Sequence, residues 1–174
     1  MRWPWPPAEP PATRGYPASV FAMMPRLLER SGPGQNGSIT ALYTVLVEGD
    51  DLQDPVGDTA RGILDGHIVL SRDLATAGHF PSIDVLESVS RVERAILSEE
   101  DRQLALTLRR LMASWRDVRE LVEVGAYVSG SDPVADAAIR LRPAIDNFLR
   151  QRPDEAIPVQ QSWAELAGLL QVRR

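Results

Sequence analysis

The sequence predicts an α/β fold that gives way to a helical bundle, and three observations carry that expectation. A continuous apolar, β-branched run from Ile39 to Val47 reads as a strand covered on both faces, as in a parallel sheet. A second short strand, His67 to Ser71, follows a stretch containing Arg61 to Leu64 that reads as helical, which gives the strand, helix, strand order of a βαβ core. After Ser98 the apolar residues recur with the period of a helix.

Taken in order, Met1 to Ala8 is a Trp- and Pro-rich segment that cannot be helical and reads as an irregular arm or a truncated start. Ser19 is the expected cap of a helix whose apolar residues Val20, Met23, Met24, Leu27 and Leu28 share one face, with a kink at Pro25. Gly32, Pro33, Gly34, Asn36 and Gly37 form a turn-rich loop before the Ile39 strand. Ser98, followed by Glu99, Glu100 and Asp101, marks a helix start, and Leu104, Leu108, Leu111, Met112, Trp115, Val118, Leu121 and Val122 keep one apolar face until Gly125. Asp132 and Pro133 occupy the cap and first turn of a second helix carrying Val134, Ala138, Leu141, Ile145 and Phe148, with a bend expected at Pro143. Ser162 and Glu165 have capping-box spacing ahead of Leu166, Leu169 and Leu170.

Composition narrows the function classes. The 174 residues are 44% hydrophobic and 25% charged, enough for a core. With 19 basic against 24 acidic residues the net charge is -5, so the field that nucleic-acid phosphates require is missing and no nucleic acid is expected as a partner. There is no cysteine for a disulfide scaffold or a thiolate metal site. No apolar stretch is long enough to span a membrane and the N-terminus is proline-broken, so the chain reads as cytoplasmic. His67 and His79 stand apart from any ligand-spaced partner and read as structural, and no G-x-S-x-G string supports a serine hydrolase.

The run from Leu46 to Val92, containing EGDDLQDP, GHFPSID and ESVSRV, resembles the stretch after the Walker B strand in the export ATPases of flagella and type III secretion systems. Upstream EPPATRGYPASVFAMMPRLLERSG and downstream VEVGAYVSGSDP extend the resemblance over nearly the whole chain. It implies the distal part of a RecA-like domain over residues 9–95 and a helical domain over 96–174, with 1–8 outside both. The phosphate-cradling G-x-x-x-x-G-K-[ST] loop of such enzymes does not occur in the sequence. ATP and Mg are therefore implied for a longer parent, and neither ATP turnover nor a bound cofactor is expected of this chain alone.

The resemblance also implies roles. Arg91 lies where the family has an arginine that reaches across a subunit interface to the neighbour's nucleotide, a task suited to a planar, permanently charged fork. By position alone a surface salt-bridge residue is the more common assignment for such an arginine. Phe80 stands where relatives have a tyrosine stacked on adenine, and only an aromatic face is needed; a core phenylalanine is the competing assignment. Phe148 resembles a second aromatic near that pocket, although LRQRPDEAIP after it departs from the synthase pattern and core packing is the first assignment. Asp50, Asp51, Gln53 and Asp54 align with the loop that touches the central stalk; a solvated, Asp-capped turn is the alternative, and calcium-loop spacing is not met. Arg14 belongs to a loop that can position the interface.

The resemblance implies ATP hydrolysis in a homohexamer that energises protein export, in contact with a coiled-coil central stalk and the export apparatus at the inner membrane. An injectisome ATPase is a near neighbour of the flagellar type, and a rotary synthase subunit is a more distant one. The competing class is a non-catalytic interaction module or a remnant of a truncated gene, which the missing phosphate loop favours.

Overall fold

The computed structural model describes residues 10–47 and 54–171, apart from the side chains of 11–13. The irregular arm Met1 to Ala8 lies outside them. The chain divides between His67 and Ile68 into two compact units.

The first unit opens with a hairpin of β1 (Pro11–Thr13) and β2 (Tyr16–Pro17), paired antiparallel with Thr13 opposite Tyr16. Its turn puts Arg14 and Gly15 both at positive φ, 48° and 85°, the conformation that matches the twist of a two-residue hairpin. Helix α1 (Ala18–Leu28) begins directly after it. Ser19 is not its cap: Pro17, extended at ψ 154°, precedes the first turn, because a fixed proline φ already sets the chain entering a helix. Pro25 sits near the C-terminal end of this helix. A second antiparallel hairpin, β3 (Gly32–Gly34) with β4 (Gly37–Ile39), pairs Gly32 with Ile39.

The strand expected from Ile39 to Val47 does not form. Only Ile39 belongs to a strand, and 40–47 run without regular structure. Leu42 and Leu46 are 92% and 90% exposed. A fully buried strand needs sheet neighbours on both edges and layers on both faces, and among the described residues β4 has only β3 as neighbour. Helix α2 (Pro55–Ile63) packs on α1.

In the second unit, β5 (Gly66–Leu70, beginning at the unit boundary) is hydrogen-bonded to β6 (Ile83–Ser90), with α3 (Arg72–Thr76) between them in sequence. Ser71 caps α3 through its hydroxyl to the Leu74 N–H, and its own N–H donates to Ser82 O at 2.8 Å. The short α4 (Glu93–Ile96) leads to α5 (Glu99–Glu123), α6 (Pro133–Phe148) and α7 (Val159–Leu169). Leu104, Leu108 and Leu111 of α5 meet Ala138 and Ile145 of α6 and Leu166 and Ala167 of α7 in one core. Spacings of three, four and seven place the α5 and α6 sets each on a single helix face, and Leu166 and Ala167 are adjacent residues of α7.

Local chemistry explains most boundaries. Ser98 accepts from the Asp101 N–H at 3.1 Å, and Asp132 accepts from Val134 N at 2.7 Å with Pro133 in the first turn. Gly125, at φ 72°, ends α5 in a double cap: its N–H donates to Val122 O and the Ala126 N–H to Leu121 O. Ser162 is not a cap. Helix α7 starts three residues earlier, after extended Pro158, and the Ser162 hydroxyl turns back toward Pro158 O at 3.5 Å. Proline again sets the helix start before the serine is reached.

Candidate functional site

Strand β6 positions both principal residues. Phe80 lies three residues before its first residue and Arg91 immediately follows its last. The eight residues of the strand stand between them in the chain.

The Phe80 end is built from the loop after α3 and the C-terminus of α6. The Gln151 N–H donates to Phe80 O at 2.9 Å. His79, only 6% exposed, donates its N–H to Leu74 O, and its Nδ1 accepts from Arg150 Nε at 3.5 Å, so this histidine is a satisfied structural residue. Phe80 itself is 55% exposed. Beside it a cleft of about 270 Å³ opens between Pro81, Ile83 and Val85 on one side and Phe148, Gln151 and Ile157 on the other. Phe148 lines this cleft while packing against the helical core, so it serves both surfaces.

At the other end of the strand, Arg91 is exposed in the bend between β6 and α4. The residues just before it are held from the helical side. Arg109 Nη2 of α5 donates to Ser88 O at 3.1 Å, and Arg116 Nη1 pairs with Glu87 Oε1 at 2.8 Å. Ser88 is tied further through its hydroxyl, which accepts from the Val69 N–H of β5 at 3.0 Å and donates to Asp84 O. Sequence reading missed Arg109 and Arg116; their seven-residue spacing, which puts both on one face of α5, was the available signal.

Asp54 is 5% exposed and caps α2, its Oδ1 accepting from Val56 N at 2.9 Å and Gly57 N at 3.2 Å. Its carboxylate is thus spent on the helix start. Asp50, Asp51 and Gln53 lie outside the described residues. Among the described residues no group of three or more His, Cys, Asp or Glu side chains could hold a metal ion. An exposed aromatic residue beside an apolar cleft has the chemistry to take a planar ring, and the phosphate-cradling string does not occur in the sequence.

Two family models match in succession: the nucleotide-binding domain of the ATP synthase alpha/beta family over residues 7–90, and the type III secretion EscN ATPase C-terminal domain over 97–168. The flagellum-specific ATP synthase of Pseudomonas aeruginosa is 52% identical over 164 residues, 93% of this chain and 36% of that protein. The assembled ATPase EscN of the enteropathogenic E. coli type III secretion system superposes with a TM-score of 0.89 at 44% identity, over 93% of this chain and 39% of that one. The chain belongs to the export-ATPase family of flagella and type III secretion systems. EscN in complex with its central stalk EscO gives a TM-score of 0.82 at 42% identity, over 93% of this chain and 38% of that one. This export-ATPase chain spans little more than a third of the length of the relatives it matches. Among its described residues no helix is long and apolar enough to cross a membrane.

Proposed function

We propose that the chain forms the adenine wall and the interface arginine of an ATPase that hydrolyses ATP as a homohexamer to energise flagellar-type protein export. Residues 9–95 belong to the nucleotide-binding domain and 96–174 to the helical domain. The observation that carries this is the placement of Phe80 and Arg91 at opposite ends of one eight-residue strand. Such a strand serves two nucleotides at once: the ring of Phe80 stacks on the base held by its own subunit, and Arg91 extends to the site of the next. A bound nucleotide would supply the reacting phosphoryl group and Mg would neutralise part of its charge, both held by elements outside this chain. The Arg91 guanidinium, planar and charged at every working pH, donates to oxygens on which charge accumulates and costs no reorganisation.

The acidic loop holding Asp50, Asp51 and Gln53 would face basic side chains of a central stalk, as the relationship to the stalk-bound EscN supports, while Asp54 anchors the loop's end at α2. The assembly would work in the cytoplasm against the export apparatus.

The test uses a full-length P. aeruginosa flagellum-specific ATP synthase in which this chain replaces the matching segment. Arg91→Ala should lower kcat by roughly 10³-fold while the KM for ATP changes little. Arg91→Lys should rescue poorly, since an ammonium lacks the fork. Mixing Arg91→Ala subunits with subunits lacking the phosphate-loop lysine should restore part of the activity. Full turnover in Arg91→Ala, or no recovery in mixed hexamers that have assembled, returns Arg91 to a surface ion-pairing role.

A further inference from the structure

We propose that Arg109 is a positioning residue that couples the helical bundle to Arg91 through the carbonyl of Ser88. The inference rests on the role given to Arg91 above.

The geometry is specific. Ser88 O accepts from Arg109 Nη2 at 3.1 Å, and from that carbonyl to Arg91 the chain runs only three residues, at most about 10 Å of extended backbone. The Ser88 hydroxyl is bound on its other side to Val69 N and Asp84 O, so the residue joins β5, β6 and α5 at a single point. Two helical turns further along α5, Arg116 grips Glu87 at 2.8 Å. That second contact is solvent-exposed on both sides and is weakened by screening, whereas Arg109 and Ser88 are both half-buried. A charged donor on a half-buried carbonyl is the stronger constraint.

Helix α5 is also the first and longest helix of the segment that matches the EscN C-terminal domain, and β6 closes the segment that matches the nucleotide-binding domain. Arg109 is therefore a side-chain bond from one family module to the end of the strand carrying the other module's exposed arginine. Its sequence distance from Ser88 is 21 residues, so the contact forms only when α5 packs against β6. A displacement of α5 along its axis would be passed to the backbone three residues ahead of Arg91. Misplacing a group that must meet developing charge lowers the rate without weakening ground-state binding.

The test is a double-mutant cycle in the same full-length hexamer. Arg109→Ala should lower kcat about 10- to 100-fold with the KM for ATP nearly unchanged. In an Arg91→Ala background the same substitution should cost nothing further, because the residue it positions is gone. Arg109→Lys, which keeps one donor for Ser88 O, should recover most of the loss. If Arg109→Ala impairs assembly, the cycle is run with Arg109→Met, which keeps an apolar stem of similar length without a donor, and hexamer formation is checked by sedimentation. Unchanged kcat, an effect confined to KM, or an equal loss in both backgrounds overturns the positioning role while leaving that of Arg91 intact. Full activity in Arg91→Ala alone overturns the underlying reading of Arg91, and the proposal with it.

Discussion

The backbone N–H of Gln151, just past the end of α6, donates a 2.9 Å hydrogen bond to the carbonyl of Phe80. The aromatic loop ahead of β6 is therefore tied to the helical bundle by main-chain chemistry, which at position 151 only a proline would remove. With Arg150 on His79 beside it and Arg109 on Ser88 at the far end of the strand, the bundle holds β6 at both ends.

This fastening leaves the Phe80 ring itself as the variable part. In the full-length hexamer, Phe80→Ala should raise the KM for ATP several-fold, the equivalent of about 1 kcal/mol of lost stacking, with kcat affected less. Phe80→Tyr should match the parent because the face is retained. Steady-state kinetics decide it, and an unchanged KM in Phe80→Ala would assign the ring to packing alone.

Asp54→Ala should destabilise the unit containing α2 by about 1 kcal/mol, since both Val56 N and Gly57 N lose their acceptor at a buried helix start. Asp54→Asn should cost less, because an amide oxygen still caps. Denaturant melts of the two variants give the comparison; equal stability of Asp54→Ala and the parent would show that the cap contributes nothing.

Partial burial raises the Tyr127 hydroxyl above its ordinary value of 10.0, and the nearby Asp136 carboxylate adds to the shift against an opposing bond from Ser131. The hydroxyl donates to Asp136 Oδ1 at 3.0 Å, while Asp136 Oδ2 accepts from the Gly130 N–H at 2.9 Å, so the α5–α6 turn depends on a protonated phenol. A group whose folded pKa is raised contributes stability that is complete below the unfolded value and is lost as pH climbs through the folded one. Tyr127→Phe should therefore lower the Tm at pH 7 to 9, and its deficit relative to the parent should shrink above pH 10. A deficit that stays constant across this range would contradict the proton's role.

Much of the helical half was legible because its signals are local. Ser98, Gly125 and the Asp132–Pro133 pair act on backbone groups within a few residues, so each does in the fold what its sequence position predicts. The strings GHFPSID and SVSRV carry the resemblance on which the roles proposed for Phe80 and Arg91 rest. Where two local signals competed, as with Pro158 against Ser162 and Pro17 against Ser19, the proline's fixed dihedral set the start and the serine cap went unused.

Sheet structure was not decided locally. Ile39 to Val47 has the composition of a buried strand, yet composition supplies neither the neighbouring strand nor the covering layers, and 40–47 stays without regular structure. Strand β6 has a weaker apolar signature and forms because β5 lies alongside it and Arg109 and Arg116 reach it from 21 and 29 residues away. The amino-acid order determined which residues can cap, stack or carry a permanent charge. Only the tertiary structure determined that one strand separates Phe80 from Arg91, since strand pairing and helix docking bring together backbone groups that the sequence keeps far apart.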